Sequence, residues 1–186
     1  MTERLVRSLY GVEVPPSGEF PVDRPERGYN RKVLQPRWDF HKRAAIIEGL
    51  VGSDKSVLVV GCGFGFLNEE LMARGMDVRG IDPGPWYWET RNNRDWNPKV
   101  KALTLPVTAL DYSGHFDVVV DEDAITMHDD EEIPAFVDKL HELGDLVVHM
   151  VTPLRTRYGD SAVNWKTMDE WIEYDPHMPW YDLNSL

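Results

Sequence analysis

Three glycines on alternate positions, Gly61, Gly63 and Gly65, follow the apolar run Val57-Leu58-Val59-Val60. Removing every second Cβ where a buried strand turns into a helix lets a flat ligand lie close to the backbone. Cys62 and Phe66 flank this turn. Two further groups could do chemistry. Asp82 follows the next apolar stretch, and the run Asp121-Glu122-Asp123-Ala124-Ile125-Thr126-Met127-His128 follows Phe116-Asp117-Val118-Val119-Val120. Carboxylates accept hydrogen bonds from paired donors, and histidine titrates near neutrality. Cys62 is the single cysteine, which excludes an internal disulfide and a multi-cysteine zinc site and reads as a small buried residue rather than a reactive thiol.

Composition narrows the partners. The chain has 186 residues and a formal net charge of −12. Residues 1–50 contain nine Lys/Arg and seven Asp/Glu, so the remaining 136 carry 11 − 25 = −14. A strongly negative body repels a phosphate backbone, so nucleic acid is a disfavoured partner. The one candidate anion patch is the basic segment Arg24, Arg27, Arg31, Lys32, Arg37, Lys42 and Arg43, expected to be a solvated face. No apolar run reaches the ~18 residues of a membrane span, and the start lacks a signal-peptide core, so a cytoplasmic protein without membrane contact is expected.

The elements that must position these residues alternate. A Pro- and charge-rich arm or lid (1–37) precedes a helix over Trp38–Leu50 and a strand at Ser56–Val60. After the glycine turn come a helix over Phe66–Arg74, with Gly75 as its left-handed end, and a strand at Met76–Ile81. A short helix over Trp86–Trp96, a strand at Val100–Leu105 and a fourth strand at Phe116–Val120 follow. A helix over Glu131–Leu143, closed by Gly144, leads to a fifth strand at Leu146–Val151. Such alternation implies an α/β fold, an open parallel sheet with helices on both faces, and ligands beyond the carboxyl ends of the strands.

The GxGxG spacing, in which Phe66 stands where a dinucleotide-binding GxGxxG turn needs its third glycine, resembles the first motif of the class I S-adenosylmethionine-dependent methyltransferases. Asp82 and the Phe-Asp-Val-Val strand agree with it, and the resemblance spans roughly residues 38–153. It implies a Rossmann-like sheet of about five strands in the order 3-2-1-4-5, with S-adenosyl-L-methionine as cofactor. Gly61, Cys62, Gly63, Gly65 and Phe66 would line the methionine half. Asp82 would accept both ribose hydroxyls, with Pro83 and Trp86 beside the adenine. At the family's adenine-amino position, Thr108 stands where an Asp is common, leaving Thr108, Ala109, Leu110 or Asp111 as contacts. Asp121 and Glu122 would open the loop beside the cofactor, and Asp123, His128 and His149 are the candidate bases.

The acidic, His-containing loop resembles relatives that methylate small molecules or proteins, and lacks the Asn/Asp-Pro-Pro-aromatic tetrapeptide of nucleic-acid amino-methylating enzymes. The expected acceptor is therefore a small molecule or a protein side chain. The alternatives are a binding or structural module that has lost catalysis, and a nucleic-acid methyltransferase using residues 24–43. Residues 38–153 form the expected cofactor domain, and 154–186 a C-terminal part of the same domain. No sixth or seventh strand is expected there, only a short helix opened by the capping-box spacing of Thr167 and Glu170. The aromatic, proline-rich tail is expected to cover the fifth strand's edge, to close over an acceptor, or to join two copies in a homodimer.

Overall fold

The computed structural model describes residues 40–63, 65–82, 104–105, 107–152, 164, 166–183 and 185. Elements are numbered among these residues. In order they are α1 (Phe40–Val51), β1 (Ser56–Val60), α2 (Phe66–Ala73), β2 (Asp77–Ile81), β3 (Thr104–Leu105), β4 (Phe116–Glu122), α3 (Ile133–Leu143), β5 (Gly144–Val151), α4 (Met168–Ile172) and β6 (Trp180–Asp182). Single 3-10 turns lie at Ala109–Asp111 and Ile125–Met127. The expected helix over Trp86–Trp96, most of the strand Val100–Leu105, and the arm 1–37 lie outside the described residues.

The sheet runs β3-β2-β1-β4-β5-β6, and every pairing is parallel. Its first five strands have the expected order. The alternating Cβ directions of β1 and β4 serve two cores. Val57, Val59, Val118 and Val120 face Ala44 and Ile47 of α1 and Leu67 and Leu71 of α2. Leu58, Val60 and Val119 face Phe136, Leu140 and Leu143 of α3, with Trp171 of α4. Asp117 pins β1 to β4 at their starts, where Oδ2 accepts from Ser56 N at 2.8 Å and from Ser56 Oγ at 2.7 Å. Hydrogen bonds from the Ser56 backbone and hydroxyl, with help from Lys55, lower its carboxyl to about 2.

Three expectations are corrected. Strand β4 extends to Glu122, so Asp121 and Glu122 belong to the sheet and not to the loop. A sixth strand exists: Trp180–Asp182 pairs with His149–Val151, because the tail's aromatic residues pack across the edge that β5 would otherwise expose. That edge is therefore unavailable to a second copy of the chain. The fifth strand begins at Gly144 and not at Leu146; Gly144 closes α3 as expected, with φ −160°, and starts β5 in the same residue. Its need is steric, since a Cβ there would sit 2.6 Å from Val119 Cγ2 and 3.3 Å from Phe116 O. The capping box of α4 is present: Glu170 N donates to Thr167 Oγ1 and Thr167 N to Glu170 Oε2.

Because Val119 is β-branched and fully buried, it cannot yield to an added methyl. Gly144→Ala should cost about 1–3 kcal/mol, read as a lower urea midpoint with an unchanged slope. An unchanged midpoint would contradict this packing.

Candidate functional site

The glycine turn sits where β1, β2 and β4 end together. Gly61, Gly63 and Gly65 have φ of +77°, +49° and +76°, the left-handed region that side chains resist. Gly61 N and Cys62 N donate to Ile81 O at 2.9 and 3.2 Å, and Gly65 N donates to Cys62 O at 2.7 Å. A Cβ on Gly61 would lie 2.7 Å from Glu122 O, whereas one on Gly63 would meet nothing within 4 Å among the described residues. The turn is thus packed against β4 on one side and, among those residues, open at Gly63. Helix α2 starts from Gly65 with no side-chain cap, so its first-turn amides point to the same edge and suit a carboxylate.

Asp82 is buried, and its Oδ2 accepts from Gly63 N at 2.8 Å. The carboxylate thereby fixes the turn from the end of β2. Cys62 is a buried core residue, as expected, and Phe66 packs its ring 5.5 Å from Phe40. Thr108 caps the 3-10 turn Ala109–Asp111, accepting from Asp111 N at 3.3 Å and donating to Asp111 Oδ2 at 2.8 Å. Ala109 is buried and Leu110 is exposed. Pro83 and Trp86 lie outside the described residues.

The carboxylates that end β4 are buried on opposite faces of the sheet. Glu122 Oε1 accepts from Arg43 Nη1 at 2.8 Å. Burial, reinforced by Asp123 and Asp82, outweighs the Arg43 charge and raises Glu122 to about 7. Arg43 was expected on a solvated face and is instead fully buried, while Lys42 beside it is exposed. The signal was in the sequence: Phe40, Arg43, Ala44 and Ile47 fall on one helical stripe. On the other face Asp121 Oδ1 accepts from Ala124 N and Ile125 N at 2.9 and 3.1 Å, holding the loop after β4.

The three candidate bases differ in what they can do. Asp123 has φ +60°, donates from its N to Met150 O at 2.8 Å, and accepts at Oδ1 from Thr152 N at 2.8 Å. It is half-buried by surface, yet protein atoms crowd the carboxyl, and that burial raises it to about 7 despite the bonds from Thr152. His128 is buried with its ring 4.3 Å from that of Phe136 in α3, and burial lowers its pKa against the pull of Glu132. It is core packing, not a group directed to the turn. His149 is fully buried. Its Nδ1 lies 2.9 Å from Asp121 Oδ2 and its Nε2 3.2 Å from Asp175 Oδ2, so both ring nitrogens are engaged by carboxylates within the fold.

Residues 57–144 match the family described as methyltransferase domain. Over those residues the chain is similar to the methyltransferase domain that its glycine turn resembles. Two curated relatives are named ubiquinone biosynthesis O-methyltransferase. The one from Psychrobacter cryohalolentis is 41% identical over 80 residues, covering 38% of this chain and 29% of that protein. The one from Psychrobacter arcticus is 40% identical over 88 residues, covering 42% and 32%. The chain therefore aligns with less than a third of either relative's length. Among solved structures, the 1,6-didemethyltoxoflavin-N1-methyltransferase of Burkholderia thailandensis superimposes with a TM-score of 0.57 at 14% identity, over 77% of this chain and 68% of that one. DesVI of Streptomyces venezuelae gives 0.54 at 21% identity, over 76% and 62%. These likenesses establish the fold.

The raised carboxyls make the stability of this fold pH-dependent. Glu122 and Asp123 lose protons near 7 in the folded chain but near 4 when unfolded, so between these values the folded state holds more protons. Stability is then fully present at low pH and is lost as pH rises toward about 7. Urea midpoints should fall from about pH 5 to about pH 8, and Asp123→Asn should flatten the fall. A rise over that range would contradict the assignment.

Proposed function

We propose that this protein binds S-adenosyl-L-methionine on the turn Gly61–Gly65 and transfers its methyl group to an oxygen atom of a small molecule. The reading rests above all on one observation: the turn is braced from behind by Asp82 and β4, while among the described residues nothing stands within 4 Å of a Cβ on Gly63. The oxygen acceptor is supported by the curated relatives, named as O-methyltransferases, over the residues they share with this chain.

When bound, the cofactor supplies a methyl group on a positively charged sulfur. The amides that begin α2 would hold the amino-acid carboxylate, and Asp82 would accept from the ribose hydroxyls. Thr108, Ala109 and Leu110 would border the adenine. Since charge on the sulfur disperses during transfer, negative charge around it favours the bound cofactor over the transition state, and the chain's contribution is mainly alignment. Asp121 orders the backbone of Ala124 and Ile125 on the acceptor side. Asp123, whose carboxyl titrates near 7, takes the hydroxyl proton.

Incubation with methyl-labelled S-adenosylmethionine and a panel of phenols, catechols and aliphatic alcohols tests this reading. Label should appear on oxygen, and Asp123→Asn should slow transfer by about 10²-fold or more with cofactor affinity nearly unchanged. Asp82→Ala should weaken cofactor binding by at least about 1.5 kcal/mol, the scale of a lost charge-assisted hydrogen bond. An Asp82→Ala protein with full affinity would remove the ribose assignment, and label on nitrogen or carbon alone would remove the oxygen acceptor.

A further inference from the structure

His149 is fully buried in β5, opposite Asp121 in the β4 register. Both of its ring nitrogens face carboxylate oxygens. Asp121 Oδ2 lies 2.9 Å from Nδ1 and Asp175 Oδ2 lies 3.2 Å from Nε2. A carboxylate only accepts, so a neutral imidazole would set a lone pair against one of these oxygens; only the imidazolium donates to both. Trp180 of β6 stacks on the ring at 4.0 Å and 14°, and its Nε1 donates to Asp175 O at 2.8 Å. His149 N donates to Pro179 O at 3.0 Å. Beyond Asp175, the same Oδ2 bonds His141 Nε2 of α3 at 2.8 Å.

At the other end of this chain of bonds, Asp121 Oδ1 carries the amides of Ala124 and Ile125. One buried cation thus joins the C-terminal segment 175–183 to the backbone that follows β4. We propose that His149 is a positioning residue, an imidazolium clamp that keeps the acceptor-side loop at Ala124 and Ile125 ordered only while the C-terminal segment is docked. The role of that loop rests on the methyl-transfer reading above; the clamp itself does not.

The groups that face the ring are Asp121 from β4, Asp175 from the segment after α4, and Trp180 from β6, with His141 behind Asp175. Asp123 and His128 feel Asp121 through space. Burial alone lowers the histidine, but the bonds to Asp121 and Asp175 outweigh it and leave it above its ordinary value. The clamp is therefore closed below that raised value while Asp121 and Asp175 are ionised, and opens as pH rises through it.

Nitrogen-15 spectra of the histidine rings in the unmodified protein should show both His149 nitrogens protonated at neutral pH. A neutral tautomer there would overturn the proposal. In His149→Gln, whose amide can donate to one carboxylate and not to both, the Ala124 and Ile125 amides should exchange at least about tenfold faster, together with those of residues 175–183. Calorimetric affinity for S-adenosylhomocysteine should stay within about twofold, because His149 touches none of the residues of the glycine turn. Faster exchange in the tail with Ala124 and Ile125 unchanged would reduce His149 to a tail anchor and contradict the coupling. If His149→Gln does not fold, Asp175→Asn and the pH series on the unmodified protein give the same two exchange readouts. Absence of S-adenosylhomocysteine binding by the unmodified protein would count against the methyl-transfer reading and leave the exchange result to decide the clamp.

Discussion

The structure depends on how closely β1 approaches β4 at Gly61. Only a residue without a side chain can stand 2.7 Å, by its notional Cβ, from the carbonyl of Glu122 while holding φ at +77°. That approach lets Gly61 N and Cys62 N share the Ile81 carbonyl, so one turn ties the ends of β1, β2 and β4. Everything at the ligand edge follows. Gly63 is turned outward, with nothing among the described residues within 4 Å of a Cβ there; Asp82 reaches its amide, and α2 starts with its amides toward the same edge.

The same edge collects negative charge, and the two-residue period of β4 decides how the fold manages it. Asp121 and Glu122, adjacent in sequence, point to opposite faces. Each meets one buried cation: Arg43 of α1 for Glu122, and His149 of β5 for Asp121. The Arg43 pair does not cancel the cost of burying Glu122, which titrates near 7, as does Asp123 beside it. Carboxyls held on the border of ionisation are poor permanent anions and serviceable proton acceptors. The sheet centre thus carries its charge as two local ion pairs, one per core.

Much of this was legible in the sequence, because the signals were local. The strand Val57–Val60, its glycine turn, and the strand beginning at Phe116 are contiguous patterns whose period and composition allow one reading. The capping box at Thr167 and Glu170 was equally local. What escaped needed contacts distant in sequence. Arg43 looked solvated because it adjoins Lys42, although its place on the Phe40–Ile47 stripe buries it. Strand β6 is too short and too aromatic to read as a strand, and exists only because β5 offers an edge. The second partner of His149, Asp175, comes from a tail with no periodicity.

The most direct measurement is a titration of the nitrogen-15-labelled protein with S-adenosylhomocysteine, followed by amide chemical shifts. Saturable shifts centred on Gly63, Gly65 and Asp82, with little change at β6, are what a cofactor seated on the glycine turn requires. Saturation confined to other residues, or no shift at high micromolar ligand, would contradict it.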